Sequence, residues 1–139
     1  MIKLTIPTIE DIPNAALEFL DEVGHRKIFA FDARMGAGKT TFIIGLLKAM
    51  GVRDFEGSPT YSLVNVYDTE MYGKIYHFDL YRINDELEAL DIGLEEMVYG
   101  DNICFIEWPE KVKDLLPHNT IWSYISVDEV GSRTLTIDK

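Results

Sequence analysis

Lys39 stands between Gly38 and the hydroxyls of Thr40 and Thr41, in the run Ala33-Arg34-Met35-Gly36-Ala37-Gly38-Lys39-Thr40-Thr41-Phe42. The run follows the phosphate-binding signature G-x-x-x-x-G-K-[ST] except that Ala33 occupies the first glycine position. Its chemistry is capture of a phosphate chain. Main-chain N–H groups from Gly36 to Thr40 can turn inward as an anion nest, with the positive end of a following helix behind them. Gly36 and Gly38 suit that turn because a Cβ would obstruct it or hold the phosphate away. Lys39 then supplies a compact positive charge to the β- and γ-phosphates, and the Thr40 hydroxyl is the expected ligand for Mg2+. Ala33 falls where the turn begins, and at a negative φ its methyl group costs little. Arg34 is expected to point to solvent, Thr41 to cap the helix or touch a phosphate oxygen, and Phe42 to join the core.

A phosphate loop alone binds; hydrolysis also needs an acid to manage metal and water. "ICFIE" ends a mostly apolar strand on Glu107, the Walker-B pattern, and ligands of α/β folds lie at the carboxyl ends of strands. "IYHFD" offers a second strand-end acid, Asp79. Period-two alternation puts Ile75, His77 and Asp79 on one face, so His77 reads as a core residue or a supporting partner and not as a catalyst. His25 and His118 read as surface residues. "SPTYSLV" places Ser58 and Thr60 around Pro59, after the first strand–helix unit. There a hydroxyl could reach the γ-phosphate or the metal as switch segments do, or the stretch could be an ordinary turn.

These residues need elements to position them. Ala16, Phe19, Leu20 and Val23 form one helical stripe that Gly24 stops. "RKIFAFDA" reads as a short buried strand running into the loop. Ile43, Leu46, Leu47 and Met50 repeat the helical spacing after it, with Gly51 as terminator. The signature therefore lies between a strand and a helix, the context it requires. "SPTYSLVNVYDT" and "KIYHFDLYRI" are β-rich runs forming a hairpin near Gly73. "NDELEALDIGLEEMV" is helical, with Asn84 as its cap and Gly93 dividing it. "NICFIEW" is a strand ended by Pro109, "PEKVKDLL" a short helix, and "TIWSYISVDE" with "SRTLTID" a second hairpin around Gly131. The expected fold is α/β, one domain over residues 1–139 with a mixed β-sheet flanked by helices.

Composition narrows the function. Twenty-four acidic against 13 basic side chains give a formal net charge of −11. Nucleic acid attracts proteins mainly through Lys and Arg against phosphates, and the densest cationic stretches are only His25-Arg26-Lys27 and Lys111–Lys113. That argues against direct, unaided binding of RNA or DNA. The lone Cys104, among Ile103, Phe105 and Ile106, suggests a buried thiol and a reducing compartment. No apolar run approaches the ~18–20 residues that span a bilayer, and the first residues lack a secretory h-region. The reading is a cytoplasmic protein without a membrane partner.

Taken in order and spacing, "MGAGKTTF", "SPTYSLVNVY", "YHFDLYRI" and "FIEWPEKV" closely resemble the bacterial TsaE (YjeE) family, from about Ala33 to Lys111. Family loops usually read G-x-x-G-A-G-K-T-T-F, so this chain departs at Ala33. The resemblance implies a small P-loop NTPase-like ATPase, using ATP and Mg2+. It supports threonylcarbamoyl modification of the adenosine beside the anticodon in certain tRNAs. The implied partners are TsaB and TsaD, with TsaD performing the transfer and tRNA reached through the complex. Carried onto matching positions, the nucleotide would meet Met35, Gly36, Ala37, Gly38, Lys39, Thr40, Thr41, Thr60 as a switch residue, Trp108 and Arg133. The metal would meet Thr40, Glu107 and Asp79, and the chemistry would rest on Lys39, Asp79 and Glu107. Hydrolysis is expected to be slow in isolation, because no arginine finger is assigned; Arg82 reads more simply as a strand-end surface residue.

Three rivals share the loop. A small-molecule kinase needs an acceptor site and usually a lid, for which the chain has no unassigned segment. A GTPase needs the guanine-reading N-K-x-D motif, which is absent. A nucleotide-sensing subunit would bind ATP without turning it over.

Overall fold

The computed structural model describes residues 1–34, 36–53, 55 and 63–139. Seven strands form one sheet: β1 (Ile2–Ile6), β2 (Ile28–Ala33), β3 (Val64–Thr69), β4 (Gly73–Asp79), β5 (Ile103–Glu107), β6 (Ile121–Val127) and β7 (Arg133–Asp138). Their order is β1-β7-β6-β2-β5-β4-β3. The four central strands β6, β2, β5 and β4 run parallel, whereas β3 and β7–β1 are added antiparallel at the two edges. The mixed sheet is as expected. Every residue of β5 and the first four of β2 are buried, which is why both read as unbroken apolar runs: parallel strands are covered on both faces.

One face is covered by α1 (Ile12–Val23) and α2 (Lys39–Ala49). α1 turns its apolar stripe inward and ends at Gly24, whose φ is +57° and whose N–H donates to the Leu20 carbonyl. Phe19, fully buried, meets Phe29 at 5.5 Å and Phe42 at 5.8 Å between ring centres, both edge-on. Truncating a ring so packed costs about 3–5 kcal/mol. Phe42 is therefore core, as its position suggests. The other face carries α3 (Glu86–Asp91), α4 (Leu94–Val98) and a 3-10 segment, Pro109–Leu115, packed through Ala89, Leu94, Val98 and Val112.

This arrangement locates a ligand site. From the carboxyl end of β2 the chain leaves over the first face in α2; from that of the adjacent β5 it leaves over the second, in the 3-10 segment. The crevice between two such strands is where open α/β sheets bind ligands.

Both hairpins form around the expected glycines, Gly73 at φ +70° and Gly131 at φ +89°. The sequence reading differs from the structure in three places. β1 was assigned to nothing, although Ile2, Leu4 and Ile6 alternate with Lys3 and Thr5 as a half-buried strand does. The cap of α3 is Asp85, not Asn84: the Asp85 side chain accepts from the Glu88 N–H at 3.1 Å, while the Asn84 N–H donates to the Glu88 carboxylate. β4 stops at Asp79 and does not continue to Ile83, because the Tyr81 N–H folds back onto Asp79 Oδ1 at 3.2 Å.

Candidate functional site

β2 delivers the chain to the loop at Ala33, still paired with Ile125 of β6 and outside the positive-φ region, so glycine is not required there. Gly36 and Gly38 follow at φ +83° and +96°, a backbone that side chains with a Cβ rarely adopt. α2 then begins at Lys39 with no capping side chain. The first-turn N–H groups of an α-helix have no partner within the helix, and Lys39, Thr40 and Thr41 of this turn line the crevice. Arg34 is exposed, as expected.

Lys39 is 6% exposed. Nζ donates to the Ala33 carbonyl at 3.2 Å and sits 3.5 Å from the centre of the Trp108 ring. Burial pulls its pKa below the usual lysine value, opposed by Glu107, Glu110, Asp32 and Asp79. Trp108 takes φ +61°, ψ +47°, a left-handed backbone that strains a bulky residue by about 1–3 kcal/mol. That turn directly follows Glu107, and the Trp108 ring covers the lysine.

Glu107 ends β5 and is 2% exposed. Its register partners are Phe31 on β2 and Asp79 on β4, so both strand-end acids reach the same rim. One carboxylate oxygen, Oε1, accepts from the Thr40 hydroxyl at 2.7 Å; the other, Oε2, lies 2.6 Å from His77 Nε2. Asp79 is exposed at the mouth. Arg133, at the start of β7, donates from Nε to the Ala37 carbonyl at 2.8 Å. A Cβ built on Gly38 would lie 2.8 Å from the same nitrogen, so any other residue there would push the Arg133 side chain aside.

Together these groups line a cleft of about 400 Å³. It brings together Gly36, Gly38, Lys39, Thr40, Thr41, Asp79, Glu107, Trp108 and Arg133; Ala37 lies buried beneath. Met35 and Thr60, with Ser58 and Pro59, lie outside the described residues. Sequence reasoning missed Tyr81, which lines the cleft with its ring 5.1 Å from that of Trp108. Its signal was its place in "HFDLYR", two residues beyond Asp79.

The donors fit Mg2+. Among the described residues no three His, Cys, Asp or Glu side chains gather as a self-sufficient metal cage. Instead a hydroxyl and a carboxylate oxygen meet at 2.7 Å beside the phosphate turn. Mg2+ is commonly held in this way, by one or two protein oxygens with phosphate and water completing its shell.

Comparison with known proteins identifies the family. A sequence model of the TsaE family, described as threonylcarbamoyl adenosine biosynthesis protein TsaE, matches residues 6–135. A tRNA threonylcarbamoyladenosine biosynthesis protein TsaE of Treponema pallidum is 36% identical over 110 residues, covering 79% of this chain and 80% of that one. The protein of the same name from Rickettsia prowazekii is 32% identical over 136 residues, covering 97% and 93%. The one from Borreliella burgdorferi is 42% identical over 108 residues, covering 76% of each. Among solved structures, Bacillus subtilis YdiB superposes with a TM-score of 0.75 at 22% identity, over 98% of this chain and 83% of that one. That likeness shows the fold, a P-loop NTPase-like α/β domain. With residues 6–135 of its 139 matched by the family model, the chain belongs to the TsaE family of threonylcarbamoyl adenosine biosynthesis proteins.

Proposed function

We propose that the chain binds ATP with Mg2+ and hydrolyses it slowly, in support of tRNA threonylcarbamoyladenosine formation and in complex with TsaB and TsaD. The observation that carries this reading is the contact between Thr40 and Glu107, a hydroxyl and a buried carboxylate at 2.7 Å, directly beside Lys39 and the uncapped start of α2. In this mechanism the N–H groups of Gly36 and of Gly38 to Thr41 receive the phosphate oxygens, the Ala37 N–H being held by the Arg34 carbonyl, and Lys39 leaves the Trp108 ring to meet the β- and γ-phosphates. Thr40 and Glu107 would hold Mg2+, which when bound would neutralise charge on the phosphates. Asp79, exposed at the rim and opposite Glu107 in the sheet, is the second acid available to the metal and to the attacking water. Arg133 lines the cleft from the opposite side and adds a second positive charge to that of Lys39.

The charge of −11 supports a division of labour in which the partners carry the RNA contacts. No described helix is long and apolar enough to cross a membrane; a role beside tRNA favours a cytoplasmic location. The test is release of phosphate from labelled ATP with TsaB and TsaD present. Release to water that falls on Glu107→Ala supports the ATPase reading; label on a metabolite acceptor would mark a kinase instead. Binding and complex formation with no release would mark a nucleotide sensor.

A further inference from the structure

His77 belongs to no role assigned so far. Its ring is 6% exposed and does not line the cleft. Register explains why it meets Glu107. On the parallel pair β4–β5, His77 lies opposite Phe105 and Asp79 opposite Glu107, so His77 and Glu107 are diagonal neighbours on one face. Around it Ile75 and Phe105 belong to the apolar core that α1 and α2 cover, while Asn65 of β3, half-buried, lies opposite it in the sheet. A polar ring in such a place is unfavourable unless bonded, and its described bond is the 2.6 Å contact with Oε2 of Glu107. A carboxylate oxygen only accepts, so Nε2 carries the hydrogen and donates it, whatever the state of the other ring nitrogen.

We infer that His77 is a positioning residue that fixes the rotation of the Glu107 carboxylate, holding Oε2 inward so that Oε1 is presented beside Thr40 to the metal of Mg·ATP. The inference rests on the Mg·ATP reading above. The two oxygens of Glu107 have separate tasks. Oε2 is anchored from within the sheet, and Oε1 faces the hydroxyl that shares the metal. Without the anchor the carboxylate is free to rotate, and the metal must order it on binding. Groups that orient a metal ligand in this manner change metal affinity about 10–100-fold when removed.

Calorimetry of ATP binding, with Mg2+ and with a chelator in its place, separates this role from packing. The variants are His77→Leu, which keeps an apolar filling without the donor, and His77→Gln, whose amide can donate again. The expected result is an unchanged metal-free affinity for ATP in all three proteins. His77→Leu should show about 10–100-fold weaker Mg2+ dependence, and His77→Gln should recover at least half of that loss on a logarithmic scale. Should His77→Leu not fold, His77→Ala carries the same comparison. Mg2+ dependence within twofold of the parent protein in the donor-less variant would overturn the inference while leaving the ATP reading intact. Equal loss of metal-free affinity would show a packing role and overturn it too. A parent protein that binds no Mg·ATP would refute the ATP reading itself, and this inference with it.

Discussion

Gly38→Ala is the substitution whose consequences the geometry fixes most closely. Two effects add. At φ +96° an alanine must hold a left-handed backbone, which costs roughly 1–2 kcal/mol. Its Cβ would also stand 2.8 Å from Arg133 Nε, the atom that donates to the Ala37 carbonyl. An arginine side chain is flexible enough to step aside, and the loss is then its hydrogen bond, about 0.5–1.5 kcal/mol. The sum is roughly 1.5–3.5 kcal/mol of stability. For a chain of this length, at about 4 °C per kcal/mol, the melting temperature should fall by about 6–14 °C. A double-mutant cycle by calorimetry resolves the parts. In an Arg133→Ala background there is neither collision nor bond to lose, so Gly38→Ala should cost only the backbone strain, about 1–2 kcal/mol. An equal cost in both backgrounds would refute the Arg133 contact, and no cost in either would refute the loop geometry.

Lys39→Ala removes the ammonium proposed to meet the phosphates, and loss of a charged hydrogen bond worth about 1.5–3 kcal/mol predicts roughly 10–150-fold weaker ATP binding by calorimetry. Unchanged affinity would contradict the assignment. Glu107→Ala should reduce turnover, measured with TsaB and TsaD present, far more than it reduces ATP binding; equal turnover by both proteins would count against Glu107 as the metal carboxylate. Cys104 is fully buried, and burial raises its thiol pKa from 9.0 to about 12. The unfolded chain therefore loses this proton first, and stability should decline as pH rises from about 9 toward 12. Urea midpoints across that window should fall less steeply for Cys104→Ala than for the parent; identical slopes would show that the thiol is not protected.

The candidate site was legible because most of its residues lie in local strings. "GAGKTT" needs only a strand before it and a helix after it, and β2 and α2 provide both. "ICFIE" and "IYHFD" end on acids because both strands end at the ligand side of the sheet, and their parallel pairing puts Asp79 opposite Glu107. What was not legible depends on contacts across the chain. Arg133 reaches Ala37 over 96 residues, and no spacing rule connects β7 with the loop; only the family resemblance suggested it. The bond between His77 and Glu107 depends on a strand register that alternation alone does not define. The left-handed turn at Trp108, which lays its ring over Lys39, is likewise unreadable, since nothing in the residue type favours that backbone. β1 was missed for the opposite reason. Its alternation is plain, but an edge strand of five residues draws no support from its neighbours in sequence, and its partner β7 lies at the far end of the chain.

The central claim is that the turn from Gly36 to Thr41 grips the phosphates of ATP with Lys39, Thr40 and Glu107 gathered around them. A crystal structure of the chain with Mg2+ and a non-hydrolysable ATP analogue tests it most directly. The account predicts phosphate oxygens on the N–H groups of that turn, Lys39 Nζ moved from the Trp108 ring to the β- and γ-phosphates, and the metal beside Thr40 Oγ1 and Glu107 Oε1. Phosphates bound elsewhere, or Lys39 still resting on Ala33 and Trp108 with nucleotide in place, would contradict it.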